Sequence, residues 1–176
     1  DIDQIIYCRC DYIAFMQFLE ETKFNTGLII SNYNSDDIDP LLPLLGAEFP
    51  DWSVNKIKSY IRLVIKNKQD VAGILVAKNE ASYNVGLLIY TFQQIPTEKL
   101  SKGKNTEFTN CLVVENIVSS SPILQKMVFL LMIESSMHIA KKNSCDFIEL
   151  PKLDFSFELI KEKYNSNLSG MNGWRT

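Results

Sequence analysis

Cys111-Leu112-Val113-Val114-Glu115-Asn116-Ile117-Val118, then Ser119-Ser120-Ser121-Pro122, a long segment to Asn143, and Cys145-Asp146-Phe147-Ile148-Glu149-Leu150 together decide the fold. The outer runs are apolar and strand-like, and the long middle segment is helix-like. This is a strand, helix, strand unit. It sets a helix N-terminus directly behind a buried strand, where unpaired backbone N–H groups and the macrodipole favour an anion. The connecting loop holds no glycine.

Upstream of this unit, Val71 to Lys78 and Tyr83 to Phe92 read as strands, and Asn79-Glu80-Ala81-Ser82 between them predicts a hairpin. Leu28-Ile29-Ile30 is a further β-like run. After it, Asn32 to Asp37 supplies turn and cap chemistry for a helix bearing Ile38, Leu41, Leu42, Leu44 and Leu45. Pro40 is tolerable in a first helical turn, whereas Pro43 leaves the start of that helix open. A second helix, capped by Asp51 or Ser53, carries Val54, Ile57, Ile61, Val64 and Ile65 on one face and Lys56, Lys58, Arg62 and Lys66 on the other. The polar stretch Pro96 to Asn105 is a long loop over a sheet edge.

Residues 1–27 read as an N-terminal extension, with a strand from Ile5 to Arg9 and a helix opened by Asp11 with Tyr12, Phe15, Met16 and Leu19 at helical spacing. Residues 28–176 form the main domain. Beyond Leu150, Pro151 breaks the strand, Phe157 to Tyr164 predicts a short helix, and Ser166 to Thr176 has room for a last strand. Within the long helix, Ile123, Leu124, Met127, Val128, Leu130 and Leu131 are assigned to the core, because its first half is apolar nearly all round.

The 176 residues, 46% of them hydrophobic, suffice for a substantial core. A net charge of -3, scattered lysines, and arginine only at Arg9, Arg62 and Arg175 give no concentrated footprint for nucleic acid. The longest apolar run, Met127 to Ile133, is far short of the ~20 residues that span a bilayer, so no membrane span is expected. Cys8, Cys10, Cys111 and Cys145 read as reduced thiols of a cytoplasmic protein. A zinc site at Cys8-Arg9-Cys10 would want further ligands, and His138 is the only histidine, so no metal is expected. His138 itself lies near a helix C-terminus, where the dipole favours it without catalysis.

The element order β, α, α, β, β, β, α, β, α, with an antiparallel hairpin before a parallel crossover, disfavours Rossmann and TIM architectures. It resembles the GNAT acyltransferase superfamily from about Leu28 to Tyr164. The resemblance rests on Ile30-x-x-Tyr33-x-x-Asp36-Asp37-Ile38-x-x-Leu41-Leu42 through Phe49-Pro50, on Val71-Ala72-Gly73-Ile74-Leu75-Val76, and on the strand, loop and helix unit. It implies an α/β (α+β) fold in which a mixed, mostly antiparallel central sheet is flanked by helices, here with an N-terminal helical extension.

The same resemblance implies acetyl-CoA or another acyl-CoA as cosubstrate and a small-molecule amine or protein as acceptor, and it leaves room for a homodimer. Carried over by position, Asn116, Ile117 and Val118 would offer strand backbone to the pantetheine arm, and Ser119, Ser120, Ser121, Gln125 and Lys126 would hold the pyrophosphate. Glu115, beside the expected thioester, and Glu48, after the first helix, are the candidate bases. Tyr164 matches a tyrosine that many family members keep near the sulfur, as an acid for the leaving thiolate. Trp52 and Trp174 pack or line a cleft.

The loop departs from the family's Arg/Gln-x-x-Gly-x-Gly/Ala. If Pro122 takes the first place, Gln125 and Met127 stand at the glycines; if Gln125 does, Val128 and Leu130 stand there. Losing two hydrogen bonds to a charged phosphate, each roughly 1.5–3 kcal/mol, would weaken binding by roughly two to four orders of magnitude. The serine hydroxyls, a Ser121-Pro122 start to the helix, and Lys126 offer partial compensation. Two functions follow: an N-acyltransferase using direct attack by the amine, or a GNAT-like fold without catalysis that binds or regulates. An acyl-homoserine-lactone-type synthase is disfavoured by the lack of an arginine-rich N-terminal pattern.

Overall fold

The computed structural model describes residues 6–8, 27–66, 71–96 and 108–151. Strands β1 (Ile6–Cys8), β2 (Ile29–Asn32), β3 (Ala72–Lys78), β4 (Asn84–Pro96), β5 (Phe108–Ser119) and β6 (Phe147–Leu150) join one six-stranded sheet in the order β1-β6-β5-β4-β3-β2. Every neighbouring pair is antiparallel except β5 and β6, which run parallel. A parallel pair needs a crossover, and helix α3 (Gln125–Lys142) provides it across one face of the sheet. A 3₁₀ turn (Asp39–Leu41), helix α1 (Leu42–Glu48) and helix α2 (Val54–Lys66) cover the other face.

Local chemistry explains the boundaries. Pro40 and Pro43 fall in the first turns of the 3₁₀ segment and of α1, where a missing N–H costs no intrahelical bond. The β3–β4 turn closes with Ser82 N–H on the Asn79 carbonyl at 2.9 Å and Tyr83 N–H on Asn79 Oδ1 at 2.9 Å. Ser82 takes the left-handed region there, at φ 64°. β4 runs on past Phe92 to Pro96, longer than the sequence suggested.

Two apolar layers hold the helices to the sheet. On the α3 side Leu88, Tyr90, Leu112, Val114 and Ile117 meet Val128, Phe129, Met132 and Ile133. On the other, Ile74, Val76, Leu87, Ile89 and Val118 meet Leu41, Leu45, Ile57 and Ile61. Each such side chain contributes roughly 1.5–3 kcal/mol of transfer free energy. Gly86 lets α3 approach β4 closely, since a Cβ there would overlap Val128 Cγ1 and stand 3.1 Å from Met132 Sδ.

The start of α3 corrects one expectation. Residues 122–124 form a turn and the helix begins only at Gln125, so Ile123 and Leu124 precede the buried stripe; Ile123 is 91% exposed. Met127 is half-buried, while Val128, Leu130 and Leu131 are core as expected. The expected N-terminal helix, the helix from Phe157 to Tyr164 and the last strand lie outside the described residues. No helix among the described residues is long and apolar enough to cross a membrane.

Candidate active site

The pairing of β5 with its two neighbours creates the site. On one side β6 matches only Cys111, Leu112 and Val113, with Phe147, Ile148 and Glu149 as partners. From Val114 to Ser119 the outer edge of β5 has no β6 partner among the described residues. Pro151 follows β6 at once and lacks the N–H that would extend the ladder. A strand edge carrying unpaired N–H and C=O groups is a template for an extended ligand.

On its other side β5 pairs with β4 along its length but slips once. Asn116 opposes Ile89 and Val114 opposes Tyr90, so Glu115 is the extra residue of a β-bulge. The bulge resets the phase of the strand. Leu112, Val114 and Ile117 pack on the α3 layer and Val118 on the opposite one. Glu115 and Asn116 are left in succession among groups on the α1/α2 side.

Glu115, exposed at the bulge, accepts from Thr91 Oγ1 at 2.7 Å and from Gln93 Nε2 at 3.1 Å, and Gln93 Nε2 also donates to Thr91 Oγ1 at 3.1 Å. Asn116 Nδ2 donates to Glu48 Oε1 at 2.9 Å, tying the end of α1 to the bulge. Both candidate carboxylates therefore belong to one polar group on one face of the sheet. Beside it, Phe49 and Trp52 stack with centroids 4.5 Å apart, and Tyr60 meets Trp52 edge-on at 5.7 Å. Burial, and secondly the Glu115 carboxylate, push the Tyr60 phenol above its ordinary range, so it keeps its proton further into the alkaline range.

Three of these residues escaped the reading of the sequence. Thr91 and Gln93 follow Ile89 at every second position, and two polar residues in period with a core residue are the trace such a site leaves in a strand. Tyr60 belongs to the rim of the α2 stripe.

Solved structures share this architecture. An aminoglycoside antibiotic 6'-N-acetyltransferase from Acinetobacter baumannii matches with a TM-score of 0.55 at 15% identity, over 85% of this chain and 95% of that one. A GNAT family acetyltransferase from Staphylococcus aureus matches with a TM-score of 0.57 at 16% identity, over 85% and 98%. The chain has the GNAT fold. AAC(6')-Iy, solved in complex with the bisubstrate analog CoA-S-monomethyl-acetylneamine, matches with a TM-score of 0.59 at 13% identity, over 85% and 94%. By sequence, no family model and no curated protein matches the chain.

In this GNAT fold the remaining expected residues take distinct places. Ile117 and Val118 have buried side chains, leaving backbone as what they can offer a ligand. The serines are engaged in the turn itself: Ser119 Oγ donates to the Ser121 carbonyl at 3.2 Å, Ser120 N–H donates to the Val85 carbonyl at 2.9 Å, and Ser121 Oγ accepts from Leu124 N–H at 3.3 Å. Gln125 and exposed Lys126 open α3, which carries no side-chain cap of its own. Tyr164 and Trp174 lie outside the described residues. His138, half-exposed and 3.7 Å from the buried Glu134 carboxylate, sits on α3, across the sheet from Glu115.

Proposed function

We propose that the chain is an N-acyltransferase, moving an acyl group, most simply acetyl, from acyl-CoA to an amine held on the α1/α2 face of the sheet. The observation that carries this reading is the coincidence at Glu115: the bulge, the end of β6 pairing and the polar group fall within a few residues of each other. The nearby AAC(6')-Iy structure, which holds a CoA bisubstrate analog, supports it at the level of fold.

The β5 edge beyond Val113, unpaired by β6 among the described residues, fits an extended pantetheine arm, which carries amide groups able to continue a ladder. At the phosphate end the fit relies on the α3 N-terminus and Lys126 rather than on a glycine-lined loop. Acyl-CoA supplies an activated thioester. The chain's part is to aim backbone N–H groups of the open strand at the thioester carbonyl and to hold the amine beside Glu115, which takes its proton directly or through water. Glu48, held by Asn116, orients the acceptor. Tyr164 is proposed as the acid for the leaving thiolate, and the fold with its N-terminal extension is proposed to act in the cytoplasm.

Calorimetric titration with acetyl-CoA and a longer acyl-CoA tests the reading. Micromolar to submillimolar binding, with amine-dependent release of free thiol, is expected. No binding of either at millimolar concentration overturns it in favour of a non-catalytic binding module.

A further inference from the structure

The aromatic group beside the two carboxylates already holds a cation. Lys56 Nζ lies 4.1 Å from the centroid of Trp52, well inside the ~6 Å range in which an ammonium is attracted by a ring face. Trp52 is half-buried, and its other neighbours are the rings of Phe49 and Tyr60, so its orientation is set by packing. Lys56 is exposed on a flexible stem and can leave at little cost. The next lysine on this helix, Lys58, is engaged with Asp39 at 2.6 Å.

Glu48 and Glu115 are both acceptors, and the hydrogen bonds to them engage Oε1 in each, while a carboxylate offers about four lone-pair positions. The face thus presents two carboxylates and one aromatic surface over which an ammonium already lies. An acceptor with a single amine would leave the Trp52 face to Lys56.

We propose that the acceptor is a dication or polycation: an amine carrying a second ammonium a few carbons from the reacting nitrogen. The reacting amine lies beside Glu115, and the second ammonium takes the place of Lys56 over Trp52, with Glu48 adjacent. Lys56 then acts as an internal competitor that keeps the ring face covered when the substrate is absent. This rests on the acyl-transfer reading only for which nitrogen reacts; the preference for two charges is a statement about binding.

Three probes of equal reach separate the possibilities: 1,5-diaminopentane, pentylamine and 6-aminohexanoate, each titrated calorimetrically into the full chain with acetyl-CoA-dependent thiol release measured in parallel. The diamine is expected to bind about tenfold or more tightly than pentylamine, and 6-aminohexanoate more weakly than either. Trp52→Ala should erase the diamine's advantage, and Lys56→Gln, at an exposed position that does not threaten folding, should tighten diamine binding severalfold. Equal affinity for diamine and monoamine, or weaker diamine binding in Lys56→Gln, overturns the proposal. So does a preference for 6-aminohexanoate that Lys56→Gln abolishes, which would make Lys56 a carboxylate anchor. Turnover of pentylamine as efficient as that of the diamine sinks the dication class and leaves acyl transfer standing. Diamine binding without acetyl-CoA binding or thiol release does the reverse.

Discussion

Glu115 holds its place through hydroxyl and amide donors on the neighbouring strand, which fix the carboxylate without neutralising it. Replacing it by Gln puts an amide of the same shape against those donors, and the expected loss in kcat is about 10²- to 10⁴-fold with the thermal midpoint little changed. Steady-state thiol release and a melting curve read the two effects separately. Cys111 illustrates the opposite case, a side chain whose reactivity the fold suppresses. It is fully buried, and that burial first, with Glu149 and Cys145 after it, pushes its thiol up to about 12. The half-buried Cys145 thiol is also raised, by burial and then by Asp146. Native protein at pH 8 should resist iodoacetamide at Cys111 and react slowly at Cys145, with both labelled promptly in denaturant; rapid native labelling of Cys111 would contradict this. Both states keep the Cys111 proton below the ordinary value of 9.0, but between there and about 12 only the unfolded chain loses it, so stability falls as pH rises through that window. Tyr60 and Tyr90, raised by burial, add to the same alkaline fall.

At the scale of elements, α3 and β5 carry the design. The close crossing of α3 over β4 depends on Gly86, where an added methyl would meet a stiff β-branched side chain of the helix. Gly86→Ala should cost about 1–3 kcal/mol, lowering the melting temperature by several degrees. Adding Val128→Ala should recover part of that loss, giving a coupling of about 0.5 kcal/mol or more in a double-mutant cycle; strict additivity would show that the methyl is accommodated elsewhere. In β5 the bulge is what places Ile117 with the α3 layer and leaves Asn116 facing Glu48. Strict alternation along Leu112 to Val118 would group Glu115 with Ile117. The two polar residues side by side in an apolar run are the only local sign that the alternation breaks there.

At the scale of the whole molecule, the sheet is paired along β4 and, among the described residues, open beyond Val113 on the β6 side, so a ligand entering that opening binds the folded state alone. Acetyl-CoA at a hundred times its Kd is therefore expected to stabilise the fold by about 2.7 kcal/mol, measured as a rise in the denaturation midpoint. A denaturation curve unmoved by saturating acetyl-CoA would count against the open strand as its seat. Much of this architecture was legible in the chain. The Asn79 to Ser82 turn, the α2 stripe, and the crossover from β5 through α3 to β6 each follow from local patterning, because hydrophobic period and turn chemistry act over a few residues. What was not legible depends on pairing between segments far apart. The partnership of Glu48 with Asn116 and of Glu115 with Thr91 and Gln93 arises when α1, β4 and β5 meet. The exposure of Ile123 arises where a turn delays the helix. The sequence determined which segments bury and with what period, since burial is a property each segment carries alone; the tertiary structure decided which polar side chains meet, because a bulge and a lost strand partner are set by neighbours the segment cannot specify by itself.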